Sequence, residues 1–499
     1  MSRAVESPAA PAEAPVAASA RAARPATTRR VPLWLAILAT GLPMFMATLD
    51  NLVMTNALPV IQREFDATLE QLQWFMNAYT LAFASLILFA VSLGDRLGRR
   101  RVFVAGISVF TLASAAAALS SDPWQLVLAR AIQGASAAAI MPLSLPLLIG
   151  SVGTARRPLA IGVWGGIAGL GVALGPLIGG AVLEGWDWEA IFWINVPVGV
   201  VAVAVVLALL PNSFGERLRA DVPGVLLAGL GVLGVVFGIV RGNDAGWDSG
   251  QVLGALLGGG ALLAAFLLWE RRTAAPLLPL RLFRDRSFTI ANVVGLAFSF
   301  GAFGSIFVLI QFMQVVQGLS ALDAGIRTMP WTLAPLVVAP LTGLLSPRLG
   351  TRALIVAGLA LQATGMAWLA LVLDEAVTFP AMVVPFVLEG IGMGLVFAPS
   401  STAVLASMAP ADTARASGTN STMREIGTAL GIAVLTAVFT AAGGELTPDG
   451  YVDAAVPAVL TGAGALALSA LVALLLPAGR AAGRPDAGRP DAGRPDAGR

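Results

Sequence analysis

The chain has 499 residues, of which 57% are apolar and only 12% are charged, with a formal charge of +2. A soluble domain carries about 25% charged residues, so one large water-soluble protein is excluded, and extensive disorder with it. Cysteine, histidine and lysine are all absent, which removes disulfides, thiolate chemistry, histidine bases and nearly all zinc or haem sites.

The first thirty residues are Ala/Pro-rich, carry Arg21, Arg24, Arg29 and Arg30, and lack the short apolar core of a secretory leader. They read as a flexible tail over 1–31. A helix crossing the hydrocarbon core needs about 20 mostly apolar residues. In chain order such runs lie at 33–56, 72–93, 102–120, 124–148, 159–183, 190–210, 222–241, 250–269, 288–313, 324–346, 353–373, 380–402, 424–443 and 455–477, fourteen in all. Barrel strands are about half that length and alternate in polarity, so the expected class is an all-α integral membrane protein. From Arg484 the unit Arg-Pro-Asp-Ala-Gly occurs three times. Its proline and glycine prevent a packed helix, so 478–499 is expected to be disordered.

Short cytoplasmic loops are enriched in arginine. With the N-terminus inside, the inside segments hold 26 of the 31 arginines, while most loop acids, from Glu64 to Asp453, fall outside. One missed span would invert every later loop, so the charge pattern supports an even count with both ends cytoplasmic.

Two stretches repeat. Leu-Gly-Asp-Arg-Leu-Gly-Arg-Arg at 93–100 is echoed by Leu-Ser-Pro-Arg-Leu-Gly-Thr-Arg at 345–352, and Gln133-Gly134 by Glu389-Gly390. Both echoes sit at matching places after a shift of eight spans, which argues for a duplicated six-helix unit. The partition is a first bundle over 32–211, two extra spans and a linker over 212–287, and a second bundle over 288–477. Paired bundles of this kind are a transporter plan, with the substrate path between the halves.

Several motifs are family-like. Asp95, Arg96, Gly98, Arg99 and Arg100 match a loop signature in which Val91 and Gly94 are departures. Leu126-x-x-x-Arg130-x-x-Gln133-Gly134, Gly171-x-x-x-Gly175-Pro176-x-x-Gly179-Gly180, Leu49-Asp50 to Ala57-Leu58-Pro59, Trp186 to Pro197, and Gln314 to Gly325 complete the set. In these motifs the chain resembles the major facilitator superfamily, and within it the fourteen-helix drug:proton antiporters. The first-span motif departs from that pattern, with Leu52 and Thr55 where Thr and Asn are usual, and Asn56 beside them.

The resemblance implies the major facilitator fold. It implies a conformational latch at Asp95, Arg96, Gly98, Arg99 and Arg100. It also implies a tight antiporter helix at Gly171, Gly175, Pro176, Gly179 and Gly180, where small residues let backbones approach closely. Importers of the superfamily generally lack this last motif.

Charges inside the spans are few: Asp50, Arg130, Glu389 and the boundary pair Arg424-Glu425. A charge at a helix centre costs about 2.5–3.5 kcal/mol on insertion scales and is a functional candidate by default. Asp50 and Arg130 each lie roughly 9 Å from an outer helix end at 1.5 Å per residue. They meet if spans 1 and 4 are neighbours, as the family's fold implies. Glu389, near mid-membrane without an evident partner, is a candidate for proton carriage or for pairing with a cationic substrate. Arg424 and Glu425 read as structural residues at a helix start.

The expected function is secondary active export of small amphipathic compounds across the plasma membrane in exchange for protons, by alternating access. A proton-coupled importer or a metabolite exporter of the same fold is the alternative, and a transport-inactive sensor a more distant one. No enzyme is expected, nor any cofactor, metal, nucleotide or nucleic acid. Without lysine a standard Walker A motif is impossible, which excludes an ATP-driven pump within this chain; the resemblance implies proton motive force as the drive, and a monomer in the lipid bilayer is the expected working unit.

Overall fold

The computed structural model describes residues 31–153, 156–214, 221–273, 276–405, 408 and 412–477. The two tails read from the sequence therefore lie, apart from Val31, outside the described residues. Fourteen helices coincide with the fourteen apolar runs. They are α1 Leu33–Phe65, α2 Leu69–Leu97, α3 Arg99–Ala118, α4 Pro123–Ser151, α5 Arg157–Gly185, α6 Ala190–Leu209 and α7 Val222–Ala245. They continue with α8 Gly250–Glu270, α9 Arg286–Val316, α10 Ala321–Leu349, α11 Thr351–Val372, α12 Phe379–Leu405, α13 Thr413–Ala441 and α14 Tyr451–Ala473. Among the described residues twelve are long and apolar enough to cross a membrane, and α5 and α10, at 29 residues each, complete the set.

Local chemistry sets the helix ends. Thr68 and Gln71 form a reciprocal capping box at the start of α2. Asp122, Asp221, Ser249, Asp285 and Ser320 cap later helices through side-chain oxygens. Gly98 (φ 107°) and Gly350 (φ 80°) each end one helix and begin the next. A side chain is strained in that left-handed region, which is why the repeated Leu-Gly-x-Arg stretches carry glycine there.

Two helices extend well beyond their apolar runs. Helix α1 continues past Asn56 and through Pro59 to Phe65, because a proline removes one backbone bond without stopping a helix held on both sides. Arg63 and Glu64 are exposed on its last turns. Helix α13 starts at Thr413 rather than 424. Its first turns are polar, but Thr419 and Asn420 are buried against protein, so hydropathy understates the span.

The duplication is visible in the packing. In the first set α2 packs on α4, α3 on α4 and α6, and α1 on α5 and α6; in the second α10 packs on α12, α11 on α12 and α14, and α9 on α13 and α14. Glycine contacts give the register. Gly106 lies against Ser136, Ala139 and Ile140, and Gly358 against Gly392, Leu395 and Val396. Gly134 sits on the Tyr79 carbonyl and Gly390 on that of Trp331.

Two seams join the bundles, α5 against α10 and α2 against α13. They are equivalent under the internal repeat. The α7–α8 hairpin breaks the equivalence, since α7 packs on both α2 and α13. Only 17% of the apolar window of α8 is buried, against 72% for α9, so the hairpin is peripheral. Exposed leucines such as Leu112, Leu257 and Leu371 give the perimeter the apolar character that a lipid solvent requires.

Candidate functional site

The interior of the first bundle holds a buried ionic network. Arg130 of α4 donates through Nη1 to Asp50 Oδ2 of α1 at 2.5 Å and to Gln133 Oε1 at 3.0 Å. Its Nε donates to the Phe75 carbonyl at 3.2 Å and its Nη2 to Asn51 Oδ1 at 3.5 Å. The guanidinium lies 4.5 Å from the centre of the Tyr79 ring, a desolvated cation–π contact. The other carboxylate oxygen, Asp50 Oδ1, accepts from Asn195 Nδ2 of α6 at 2.7 Å and from Gln133 Nε2 at 3.2 Å. Gln133 also donates to Ser114 of α3 at 2.8 Å. Five helices thus contribute to one cluster, and both members of the ion pair are buried.

The expected meeting of Asp50 and Arg130 therefore occurs, although the length of α1 changes the arithmetic. Asp50 lies about four turns from the end of α1 and Arg130 about two turns into α4. They meet because the last turns of α1 overshoot the start of α4. Gln133, Asn195 and Tyr79 were not singled out as partners of this pair. As uncharged residues they carry no insertion penalty to draw attention, although Gln133 stands in the Arg130 motif, three residues along α4.

Glu389 of α12 lies apart from this network. It is 3% exposed, and its Oε1 has no hydrogen-bond partner. It packs against Gly365 of α11, inside a helix–helix contact. Arg424 and Glu425 are about three turns into α13, so they belong to the membrane interior and not to a helix start. The Arg424 guanidinium sits 3.7 Å over the Phe397 ring, and Glu425 keeps partial solvent exposure.

The loop signature docks within its own bundle. Asp95 accepts from Arg99 Nε at 2.7 Å. Arg100 donates to the Leu210 carbonyl at 2.9 Å, and its backbone N–H to Asn212 Oδ1 at 3.2 Å. Gly98 faces the Asn212 amide too closely for any side chain. Arg96 is exposed. The Asp95–Arg99 pair joins α2 to α3, and the Arg100 bonds tie α3 to the residues that follow α6.

The α5 glycines divide between two neighbours. Gly171, Gly175 and Gly179 lie against Thr48, Leu52 and Val53 of α1, whereas Gly180 lies against Ala321 and Leu322 of α10. Asn56 joins this seam. Its Nδ2 donates to the Pro176 carbonyl at 3.1 Å and to the Ala321 carbonyl at 2.6 Å. Gln314 of α9 donates to the Asn56 backbone carbonyl at 2.8 Å and to its Oδ1 at 3.1 Å. The one-residue departure at Asn56 thus builds a hub linking α1, α5, α9 and α10 at the acid-rich end.

Comparison with known proteins agrees with this geometry. Residues 33–334 and 293–498 each match the profile of the Major Facilitator Superfamily. The chain is 35% identical over 425 residues to the multidrug resistance protein Stp of Mycobacterium tuberculosis, covering 85% of this chain and 79% of that protein. It is 33% identical over 464 residues to the tetracenomycin C resistance and export protein of Streptomyces glaucescens, covering 92% and 86%. A crystal structure of a bacterial homologue of the human lysosomal transporter Spinster, inward-facing and unoccupied, superposes with a TM-score of 0.63 at 17% identity, covering 89% of this chain and 96% of that one. Duplicated bundles, extra hairpin and sequence kinship converge: this chain is a multi-pass membrane transporter, not an enzyme, and belongs to the major facilitator superfamily.

Proposed function

We propose that this transporter exports small amphipathic compounds, antibiotics among them, across the cell membrane in exchange for protons, by alternating access. The observation that carries the reading is the Asp50–Arg130 pair, sealed in the first bundle and saturated with donors. A carboxylate held by a cation switches state when either partner moves, because the charge loses its compensation. Relatives named for drug resistance and export support the direction. The arginine-rich helix ends support a cytoplasmic placement of both termini. The Asn56 hub closes the acid-rich end, in keeping with a cavity that faces the arginine-rich side in this conformation. The Asp95–Arg99 loop works as the latch on that side when the halves close.

Protonation from outside frees Asp50 from Arg130 and lets the bundles part at the hub; proton loss inside restores the pair. One charge moving through 100 mV supplies about 2.3 kcal/mol and one pH unit about 1.4 kcal/mol. A single proton therefore sustains a substrate gradient on the order of a hundredfold.

The test is Asp50→Asn in proteoliposomes. Expected is loss of proton-driven uptake into inside-out vesicles, normalised to the folded protein recovered. Undiminished proton-driven transport by this variant would reject Asp50 as the coupling site.

A further inference from the structure

Deep in the second bundle, Arg424 is a cation without a counter-ion in contact. It lies about three turns into α13. Among the described residues no acid forms an ion pair with it, and its Nε is buried without a hydrogen-bond partner. This contrasts with Arg130 of the first bundle, which is saturated with acceptors.

Three helices build the surroundings. Gly295 of α9 leaves the room that the Arg424 stem fills, since a side chain there would come within 3.3 Å of Arg424 Cγ. Phe397 of α12 is the shelf for the guanidinium, with Cζ 3.7 Å from the ring centre. Phe298 of α9 meets that ring edge-on, at 6.5 Å and 83°. Phe298 is buried, whereas Arg424 and Phe397 both keep solvent exposure. Because Phe397 touches α9 and α13, its open edge looks into a space between helices and not into lipid. Thr422, two residues before Arg424, donates to the Ala84 carbonyl of α2 at 3.4 Å, so this stretch of α13 borders the seam between the bundles.

The chemistry of the guanidinium says what the space takes. It carries N–H donors in a planar fork and no acceptor. The cation–π contact covers one side and satisfies none of those donors in the ordinary way. A carboxylate fits the fork edge with two parallel hydrogen bonds, and the exposed part of Phe397 offers an aromatic ring a neighbour. Glu425, the next residue, points elsewhere, because successive helical residues diverge by about 100°. It acts on Tyr79 of α2 across the seam and on Arg424 through its field without an ion pair.

We propose that Arg424 on its Phe397 shelf is a substrate subsite for anionic aromatic compounds, with the carboxylate on the guanidinium edge and the ring beside Phe397. Its part in transport rests on the export reading above; the binding itself does not.

The test is equilibrium binding of cinnamate to the full chain in lipid nanodiscs, beside two compounds with the same ring, neutral cinnamyl alcohol and cationic cinnamylamine. Wild type is expected to bind cinnamate about tenfold tighter than the alcohol, the return of one charge-assisted pair, and the amine most weakly. Arg424→Gln should erase this preference and leave the alcohol unchanged. Arg424→Lys, a charge without the planar fork, should keep part of it. Glu425→Gln should tighten cinnamate by removing a nearby negative charge, and Phe397→Leu should weaken cinnamate and alcohol together. Equal affinity of wild type for cinnamate and its alcohol, or a preference that survives in Arg424→Gln, overturns the site. If cinnamate binds as expected while a proton gradient drives no bound compound into inside-out vesicles, the subsite stands and the export reading falls. If another drug is taken up by proton drive while cinnamate binds no better than its alcohol, export stands and the subsite falls. Monodisperse elution of each variant separates these outcomes from misfolding.

Discussion

The two bundles share one scaffold and differ in what they bury at equivalent places. Gly171 and Gly175 pack on Thr48 and Leu52, while Gly427 and Gly431 pack on Leu296 and Phe300. Asp50, two residues after Thr48, therefore corresponds to Phe298, two after Leu296. Arg130, four before Gly134, corresponds to Phe386, four before Gly390, and Gln133 corresponds to Glu389. Phe298 and Phe386 are both buried. The same helix packing thus stands with an ion pair in one half and two phenylalanines in the other. An ion pair taken out of water contributes little net stability relative to well-packed apolar residues. The packing does not require an ion pair at these positions, in keeping with the coupling role proposed above for Asp50 and Arg130.

The sharpest way to break that comparison is Arg130→Ala, which strands a buried carboxylate. It should cost about 3–5 kcal/mol, read as a lowered unfolding temperature in detergent. The paired change Asp50→Leu with Arg130→Met, an apolar interior like that of the other bundle, should recover most of this loss while abolishing transport. If the double variant is as unstable as the single one, the pair is structural.

A smaller effect tests the equivalence itself. Gly134→Val and Gly390→Val push side chains against the Tyr79 and Trp331 carbonyls, respectively. Each should cost about 1–3 kcal/mol by overpacking. Matched losses in thermal unfolding support the repeat, and a tolerated change at one site only would break it.

Asn56→Ala removes a donor from two carbonyls of opposite bundles and should loosen the acid-rich end. A bias of about 1.4 kcal/mol shifts a two-state equilibrium tenfold. The chain has no native cysteine, so one placed at the buried Ala324 of α10 reports the opening by faster thiol labelling. Unchanged labelling would dismiss the hub as a closure element. The smallest effect belongs to Arg241→Ala on the hairpin. Its 2.7 Å pair with Glu70 is partly exposed, and unfolding should shift by less than about 1 kcal/mol.

Much of this architecture is legible in the residues because lipid imposes a strong signal. Twenty apolar residues in a row have few other uses, and arginine placement fixes their parity. The start of α13 escaped for the converse reason. Thr419, Asn420 and Thr422 face other helices and not lipid, so polarity there reflects burial in protein. Asp50 and Arg130 stand out because a charge in a span is expensive. Asn195, which completes the Asp50 shell from 145 residues away, gives no local sign of its role. Asn56 is similar: the motif departure is visible, but only packing shows that one step along the helix turns the amide onto the opposite bundle. The glycines of α5 announce close contact without saying with whom, and Gly180 serves a different neighbour from Gly179.

The hairpin makes the molecule mechanically lopsided. Arg241 of α7 grips α2, and Asn243 of α7 donates to the Ala437 carbonyl of α13 at 2.6 Å, so one flank is strapped by an element fastened to both halves. Among the described residues the opposite flank has no such helical strap. If the halves rock as proposed above, such a body has a hinged edge and a freer one, like a book with a spine, and its pages part on the side of α5 and α10, where the Asn56 clasp sits.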